Sequence, residues 1–530
     1  MRFLWRDAQT WYAVRLERRS SPDGRDAALV TYVSTELPFK LTSREIDILT
    51  LVALGLTNGQ VAIRLGTSPR TVSTQVERLL TKLDQRTRGG LAALVVDGGL
   101  LRLPVPGGVE DLPHIGPVEV EALAGGAPPA TTSGGATRLR RRPLLLGTVT
   151  PSLGPVGADG IETLRGSGLA VEHVNARGGV GGRPIEHLTV AVDLTDADAV
   201  RRAFETLFDQ EVDAITTSYV NAENPFVLDL IADFGRPFLH LGTYESQVDL
   251  VRQDPVRYGM VFQTCPSETH YGSALISFLD SLEEQRLWRP EARRIVTIEI
   301  DAVSTRTTNE TFIRTAEQSR WVIHDLIRVP IGTRDWSEVI ARVAAADPQV
   351  VMITHFVVED VISLQAALHA SGIQALVYHV YGASVPDFTS RLGDAAEGVF
   401  CSSVTGLYDD LLGDRFRYVY ESRFGAAPGW SQASAAYDQV GLLAAAWSAT
   451  DGHATHEVIR YLRQSAYRGL NGVYFLGDPG QSSRGYPYEV PDPSLGKAHM
   501  VYQFQSGRAR AVFPATNGDL SAVRIPRVRA

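Results

Sequence analysis

The chain has 530 residues, 44% hydrophobic and 21% charged, which excludes global disorder and exceeds what one core can organise; two to four folded units are expected. Its formal net charge of −9, from 60 acidic residues against 51 Lys and Arg, argues against wholesale coating of nucleic acid. Two cysteines, Cys265 and Cys401, exclude a disulfide scaffold or a cysteine-rich zinc site, and no apolar window of about 20 residues is present to span a membrane. The opening MRFLWRDAQTWYAVRLERRSS lacks an uninterrupted apolar stretch and a small-residue cleavage site, so no secretory signal is expected and the chain is expected to stay in the cytoplasm.

Residues 1–40 hold two strand-like runs, Thr10–Leu16 and Ala27–Ser34, separated by the turn chemistry of RRSSPDGRDA. This predicts a β-hairpin extension, too small to stand alone and expected to pack on the adjoining segment. Residues 41–102 are dense in helix signals. Residues 103–143 are rich in Gly, Pro, Ala and Thr without helical period and read as a flexible linker. Arg138, Arg140, Arg141 and Arg142 near its end read as a solvated flank, with a supplementary DNA contact as the sharper alternative. Residues 144–530 alternate short apolar runs with amphipathic helical stretches, the pattern of parallel sheets with covered faces. So long a stretch calls for two lobes.

Within residues 41–102 the local signals are explicit. Thr42 followed by Glu45 is a capping box, after which Ile46, Leu49, Val52 and Ala53 share a helical face up to Gly55. A second helix starts near Asn58, turns Val61, Ala62 and Leu65 inward and ends at Gly66. Ser68-Pro69 is an N-cap followed by proline at the first helical position. The third helix sets Val72, Val76, Leu79, Leu80 and Leu83 on one stripe and Arg70, Thr71, Ser73, Thr74, Gln75, Arg78 and Lys82 on the other. Such a polar face can lie in a major groove and read base edges, with Lys82, Arg86 and Arg88 placed for phosphates. Residues 41–104 carry eight Lys or Arg against five Asp or Glu, a net of +3, which leaves −12 on the rest. A small helical bundle with a solvated third helix is the competing reading of the pattern alone.

The segment resembles the LuxR-type DNA-binding domain, a four-helix unit of bacterial transcription regulators. The resemblance rests on Leu41-Thr42-x-Arg44-Glu45, Gly55-Leu56-Thr57-Asn58, Val61-Ala62-x-x-Leu65, Ser68-x-x-Thr71-Val72 and Leu80-x-Lys82-Leu83 with Arg88. It departs from that family at Ser73 and Gln75, where Lys and His are frequent, and at Gln60, where Glu is usual. An operator sequence is therefore not transferable.

Residues 144–530 open with a strand, the Pro151–Pro155 loop and a helix ending at Gly178-Gly179. These glycines follow a helix rather than a strand, so they do not form a dinucleotide loop. No Walker lysine loop, H-E-x-x-H or G-x-S-x-G elbow is present, so no catalytic residue, metal or cofactor is expected. The region resembles the type I periplasmic-binding-protein fold, in particular the branched-chain amino acid and amide receptors. The carrying features are the Pro151–Pro155 loop, the Asn175–Pro184 run, Ile331-Gly332-Thr333-x-Asp335-Trp336, Pro348-x-Val350-Val351 and Gly393–Val399. The resemblance implies two α/β lobes joined by three crossings, with QTCPSETHYG around Cys265 as the first, and a ligand held between strand ends. By position it implies contacts from Tyr219, Asn221, His240 and Thr243 on the first lobe and Ser304, His355, Phe356 and Tyr381 on the second. Against this, His240 and His355 read equally as satisfied strand-end histidines, and Tyr219 and Tyr381 as interlobe packing.

No carboxylate is evident near Tyr381, so an amide or urea-like ligand is as compatible as an amino acid. The combined expectation is a multidomain, homodimeric one-component regulator with DNA and a small polar ligand as partners, not an enzyme. The alternative is a ligand-responsive protein that sequesters a partner regulator.

Overall fold

The computed structural model describes residues 2–7, 10–20, 26–53, 56–85, 88–103, 106, 142–302, 305–450 and 454–525. Most of the expected linker and Ser304 lie outside the described residues. The chain divides into two compact units, 1–137 and 138–530.

In the first unit, β1 (Arg2–Asp7), β2 (Thr10–Ser20) and β3 (Asp26–Thr35) form an antiparallel meander, and β4 (Arg102–Leu103) adds to β1 in parallel. The strand order is β3-β2-β1-β4. The expected hairpin is thus part of a larger sheet. The run RFLWRD, with charges at both ends, gave no strand signal of its own; pairing with β2 makes it one. Four helices lie between β3 and β4: α1 (Ser43–Ala53), α2 (Asn58–Arg64), α3 (Pro69–Lys82) and α4 (Arg88–Asp97). Leu4 and Trp11 of the sheet share one buried cluster with Ile46, Leu49, Val72, Leu79, Leu91 and Val95. Residues 1–40 and 41–102 therefore close over a common core.

The local signals act as chemistry requires. Thr42 N–H donates to Glu45 Oε2 at 2.7 Å and Glu45 N–H to Thr42 Oγ1 at 3.2 Å, the reciprocal capping box. Ser68 Oγ accepts from Thr71 N–H at 3.1 Å ahead of Pro69. Gly66 ends α2 with φ +61°, a conformation L side chains resist.

The second unit contains two α/β layers. The first sheet joins β5 (Leu144–Leu153), β6 (Ile185–Asp193), β7 (Ala214–Thr217), β8 (Phe238–His240) and β9 (Val261–Gln263) in the order β6-β5-β7-β8-β9, all parallel. The second contains β10 (Arg294–Ile300), β11 (Val322–Val329), β12 (Val350–His355), β13 (Leu376–Tyr381) and β14 (Phe400–Ser403). Two short ribbons come next, β15 (Ala466–Gly469) with β16 (Gly472–Phe475) and β17 (Gly485–Tyr486) with β18 (Lys497–Ala498). The chain then returns to the second sheet as β19 (Met500–Gln505) and β20 (Arg508–Phe513), giving the order β11-β10-β12-β13-β14-β19-β20. The last two strands are antiparallel, so this sheet is mixed rather than purely parallel.

The chain passes between the layers three times. After β9 it crosses through Cys265, which is fully buried. After β14 it returns to the helix Gln432–Ala449, whose Val440, Leu443 and Trp447 pack with Leu144 and Leu146 of the first sheet. The third crossing leads through Lys497 to β19. A buried polar node ties the crossings together. Lys497 Nζ donates to Thr264 O at 2.8 Å and lies 3.8 Å from the Tyr474 ring centroid. Tyr474 OH donates to Asp438 Oδ2 at 2.8 Å, and the Asp438 carboxylate also accepts from the Leu470 and Asn471 amides at 2.7 and 3.0 Å. Burial pushes the Lys497 ammonium down to about 8.

Candidate functional site

The DNA-facing candidates sit on α3. Arg70, Thr71, Thr74 and Arg78 are exposed, and Ser73 and Gln75 are half-buried. Two hydroxyls have local duties: Thr71 Oγ1 is 2.8 Å from Ser68 Oγ, and Thr74 Oγ1 donates to Arg70 O at 3.2 Å. Lys82 and Arg88, expected at phosphates, have intramolecular partners, and Arg86 lies outside the described residues. Lys82 Nζ contacts Glu45 Oε2 at 2.9 Å and Lys40 O at 3.0 Å, stitching α3 to the start of α1. Arg88 donates to Asn58 Oδ1 at 2.8 Å and to Leu56 O, anchoring α4 to the entry of α2. A lone basic side chain at a helix end satisfies orphaned carbonyls as readily as it meets phosphate, and spacing does not separate the two uses.

In the second unit a cavity of about 70 Å³ lies where carboxyl ends of strands from both sheets converge. Tyr219, Leu241 and Thr243 line it from the first layer; His355, Phe356, Val380 and Tyr381 line it from the second. Five of the eight expected contacts thus reach the cavity wall: Tyr219, Thr243, His355, Phe356 and Tyr381. Asn221 and His240 do not. Asn221 is fully buried and trades hydrogen bonds with Gln247, Nδ2 to Oε1 at 2.5 Å and O from Nε2 at 2.8 Å. His240 is buried, stacks on Phe238 with ring centroids 5.5 Å apart, and is pushed by burial down to about 3, so it is neutral. Asn221 Oδ1 and His240 Nδ1 are buried without hydrogen-bond partners.

His355 lines the cavity with Nδ1 engaged by the backbone and Nε2 buried without a hydrogen-bond partner. Its Nδ1 accepts from Val357 N–H at 3.1 Å, which puts the proton on Nε2, 3.5 Å from Asp360 Oδ2. Burial lowers it to about 4. The ring therefore presents a neutral surface.

Sequence reasoning missed the carboxylate behind the two cavity tyrosines. Asp159, at the start of the helix Gly157–Ala176, is 1% exposed. Its Oδ2 accepts from Tyr219 OH at 2.6 Å and from Tyr381 OH at 2.7 Å, so one carboxylate oxygen joins the two layers. Gln432 Nε2 donates to Tyr381 OH at 2.6 Å and extends the chain to the second crossing. Asp159 Oδ1 is buried without a hydrogen-bond partner. Burial raises the Asp159 carboxyl to about 6, against the opposing pull of the two tyrosine bonds, and both tyrosines are driven well above their ordinary value, first by burial. The expectation that no carboxylate lies near Tyr381 is thereby corrected. Nothing local marked Asp159, because its partners stand 60 and 222 residues away.

A hydroxyl cluster was missed as well. Thr305, Thr307, Thr354 and Thr405 all line the cavity, with Thr307 and Thr354 hydroxyls 2.7 Å apart. The run TRTTN after β10 was the available signal for the first two. Among the described residues no Arg or Lys lines the cavity, and Glu223 is its acidic member.

A capped helix-turn-helix and a two-layered receptor with a cleft between its sheets define the class: a ligand-sensing transcription regulator. The chain belongs to the periplasmic binding protein family, whose model matches residues 143–487. Residues 40–95 match the model of the bacterial regulatory proteins, luxR family. One relative, Leu/Ile/Val-binding protein homolog 7 of Brucella melitensis, is 22% identical over 77% of this chain and 98% of its own. A branched-chain amino acid ABC transporter structure from Silicibacter pomeroyi is similar with TM-score 0.67 and 28% identity, covering 73% of this chain and 99% of that one. A solute binding protein from R. palustris in complex with benzoate has TM-score 0.57 at 14% identity, covering 70% and 95%, and shares the fold. No helix among the described residues is long and apolar enough to cross a membrane.

Proposed function

We propose that the chain is a cytoplasmic, homodimeric one-component regulator in which a small polar ligand in the cleft controls DNA binding by α3. The observation that carries this reading is that one polypeptide holds an exposed, N-capped polar helix face and a separate hydroxyl-lined cavity at converging strand ends. Arg70, Ser73, Thr74, Gln75 and Arg78 face DNA in this reading, and Thr71 contributes beside its cap. Tyr219, Thr243, Phe356 and Tyr381 hold the ligand, with His355 as wall.

The cavity chemistry favours neutral or ammonium-bearing ligands: amides, urea-like compounds and amino acids. An anion would be desolvated beside Asp159 and Glu223 without a lining Arg or Lys to compensate. Because Tyr219 and Tyr381 meet on Asp159 across the two layers, a ligand that engages either hydroxyl shifts the balance between closed and open lobes. Differential affinity for those states is the physical cause of the response. The role involves no catalytic step and no cofactor.

A thermal-shift screen of amides, ureas and amino acids identifies the ligand, because a binder specific to the native state raises its melting temperature. Calorimetry with that ligand should show weakened binding for Tyr219→Ala and Thr243→Ala; wild-type affinity would remove them from the site. On the DNA side, Thr74→Ala with Gln75→Ala should lower sequence preference more than salt-dependent overall affinity. A chain that shows no DNA affinity at low salt yet co-purifies a regulator would replace this reading with sequestration.

A further inference from the structure

The outer edge of the first unit is unlike an ordinary sheet edge. Among the described residues β3 pairs on one side only, with β2, and is the terminal strand of its sheet. It carries no charged residue from Ala27 to Thr35 and no proline. Natural edge strands of this length are normally guarded by Lys, Pro or a bulge, because bare backbone groups beside apolar side chains template further pairing. Here Leu29, Val30, Tyr32 and Val33 are 42%, 51%, 63% and 63% exposed. The sheet face bearing Val30 and Tyr32 continues inward as an aromatic row: Tyr32 to Tyr12 at 6.0 Å and Tyr12 to Trp5 at 5.2 Å between ring centroids.

The sequence of this edge is self-complementary. In Leu29-Val30-Thr31-Tyr32-Val33 the apolar residues are disposed symmetrically about Thr31. Antiparallel pairing of two copies about a two-fold axis at Thr31 sets Val30 against Tyr32 and Tyr32 against Val30 on one face. On the other face Leu29 meets Val33 and Thr31 meets its own mate. β-branched residues opposite aromatic ones are favourable cross-strand pairs, and an isologous interface demands this kind of symmetry. A pairing of this kind, with the flanking aromatic row, buries on the order of 1,000 Å² in total, the scale of a specific interface.

We infer that β3 is the dimerisation edge of this chain, joining two copies into one continuous eight-stranded sheet centred on Thr31. The occupant of the edge is a second copy, since the apolar pattern of Leu29–Val33 matches itself in register and the one charged residue of β3, Asp26, stands at its end outside that stretch. This inference rests on the homodimer reading and specifies where it is made. The sheet and α3 share one core, so pairing at β3 also fixes the separation of the two recognition helices, which sets half-site spacing on DNA.

The test uses the full chain. Thr31→Cys should form a disulfide-linked dimer on mild oxidation, because the two Thr31 positions face each other within disulfide reach. Cys265 and Cys401 are fully buried and do not compete. Ser34→Cys is the control: its mate lies six residues along the strand, roughly 20 Å away, and should not cross-link. In sedimentation equilibrium, Val30→Lys with Tyr32→Lys should raise the dimer dissociation constant about 100-fold or more by losing symmetric apolar pairs and opposing like charges. Both substitutions replace exposed side chains, and a cooperative melting transition retained by the 1–137 unit verifies its fold. A dimeric chain that resists the lysine pair and gives no Thr31→Cys cross-link would overturn the edge assignment while leaving a homodimer in place. A chain that is monomeric at every concentration, free and on DNA, would overturn both.

Discussion

The helix-turn-helix unit and the ligand cleft differ in the sequence distance over which they are built. The capping box of α1 joins residues three apart, and the Ser68 cap of α3 likewise. The cleft depends on Asp159 meeting Tyr381 across 222 residues and on Tyr381 meeting Gln432 across 51. Local hydrogen bonds form wherever a helix forms, and they leave a readable pattern. A cleft exists only once separate layers have packed, so its residues need share no spacing at all. The same contrast separates failure modes: damage to a cap should loosen one helix, whereas damage to a crossing node should undo a whole unit.

The largest effect on this contrast is expected at Asp438. Asp438→Ala leaves the Leu470 and Asn471 amides and the Tyr474 hydroxyl without their acceptor in a buried site. It should destabilise the 138–530 unit by about 3–5 kcal/mol. Calorimetry should show that transition moving down while the 1–137 transition stays in place; joint movement of both would mean the units are not thermodynamically separate.

A smaller, pH-dependent effect is expected at Asp159. Burial raises this carboxyl from 3.8 to about 6, so between those values the folded chain holds a proton that the unfolded chain has released. Its contribution to stability is therefore full below the unfolded value and is lost as pH rises through about 6, by about 3 kcal/mol at most. Asp159→Asn should remove that slope, so urea titrations at pH 4.5 and 7.5 should show the variant gaining on the wild type at the higher pH. Parallel profiles for the two proteins would show that the carboxyl does not titrate as its burial requires.

The smallest effect is the local one. Glu45→Ala removes both the return half of the capping box and the ion pair to Lys82. It should cost the first unit about 1 kcal/mol, with the second unit unaffected. A loss of several kcal/mol would place Glu45 in a cooperative network rather than in a cap.

Much of the molecule was legible before any coordinates. Both family resemblances could be read from short motifs, and the helices of residues 41–102 emerged from caps and apolar stripes. Five of the eight expected positions line the cavity because strand ends in a parallel sheet point at one crevice. Other placements could not be read from the sequence, for a common reason. Lys82, Arg88, Asn221 and His240 are polar residues in the expected places, and only the three-dimensional neighbours show their polar groups engaged with, or walled in by, protein. β1 needed β2 to become a strand, and β19 and β20 had to return from a distant crossing to make the second sheet mixed.

From residue order alone came the two kinds of unit, the capped third helix and the positions of the strand ends, since each rests on contacts within a few residues. Packing alone decided that residues 1–40 close the DNA-binding core, that Lys497, Tyr474 and Asp438 bind the crossings, and that Asp159 sits between two tyrosines from opposite layers. The reason is that burial and hydrogen-bond partnership belong to pairs of residues brought together by the fold, and no single stretch of chain contains both members.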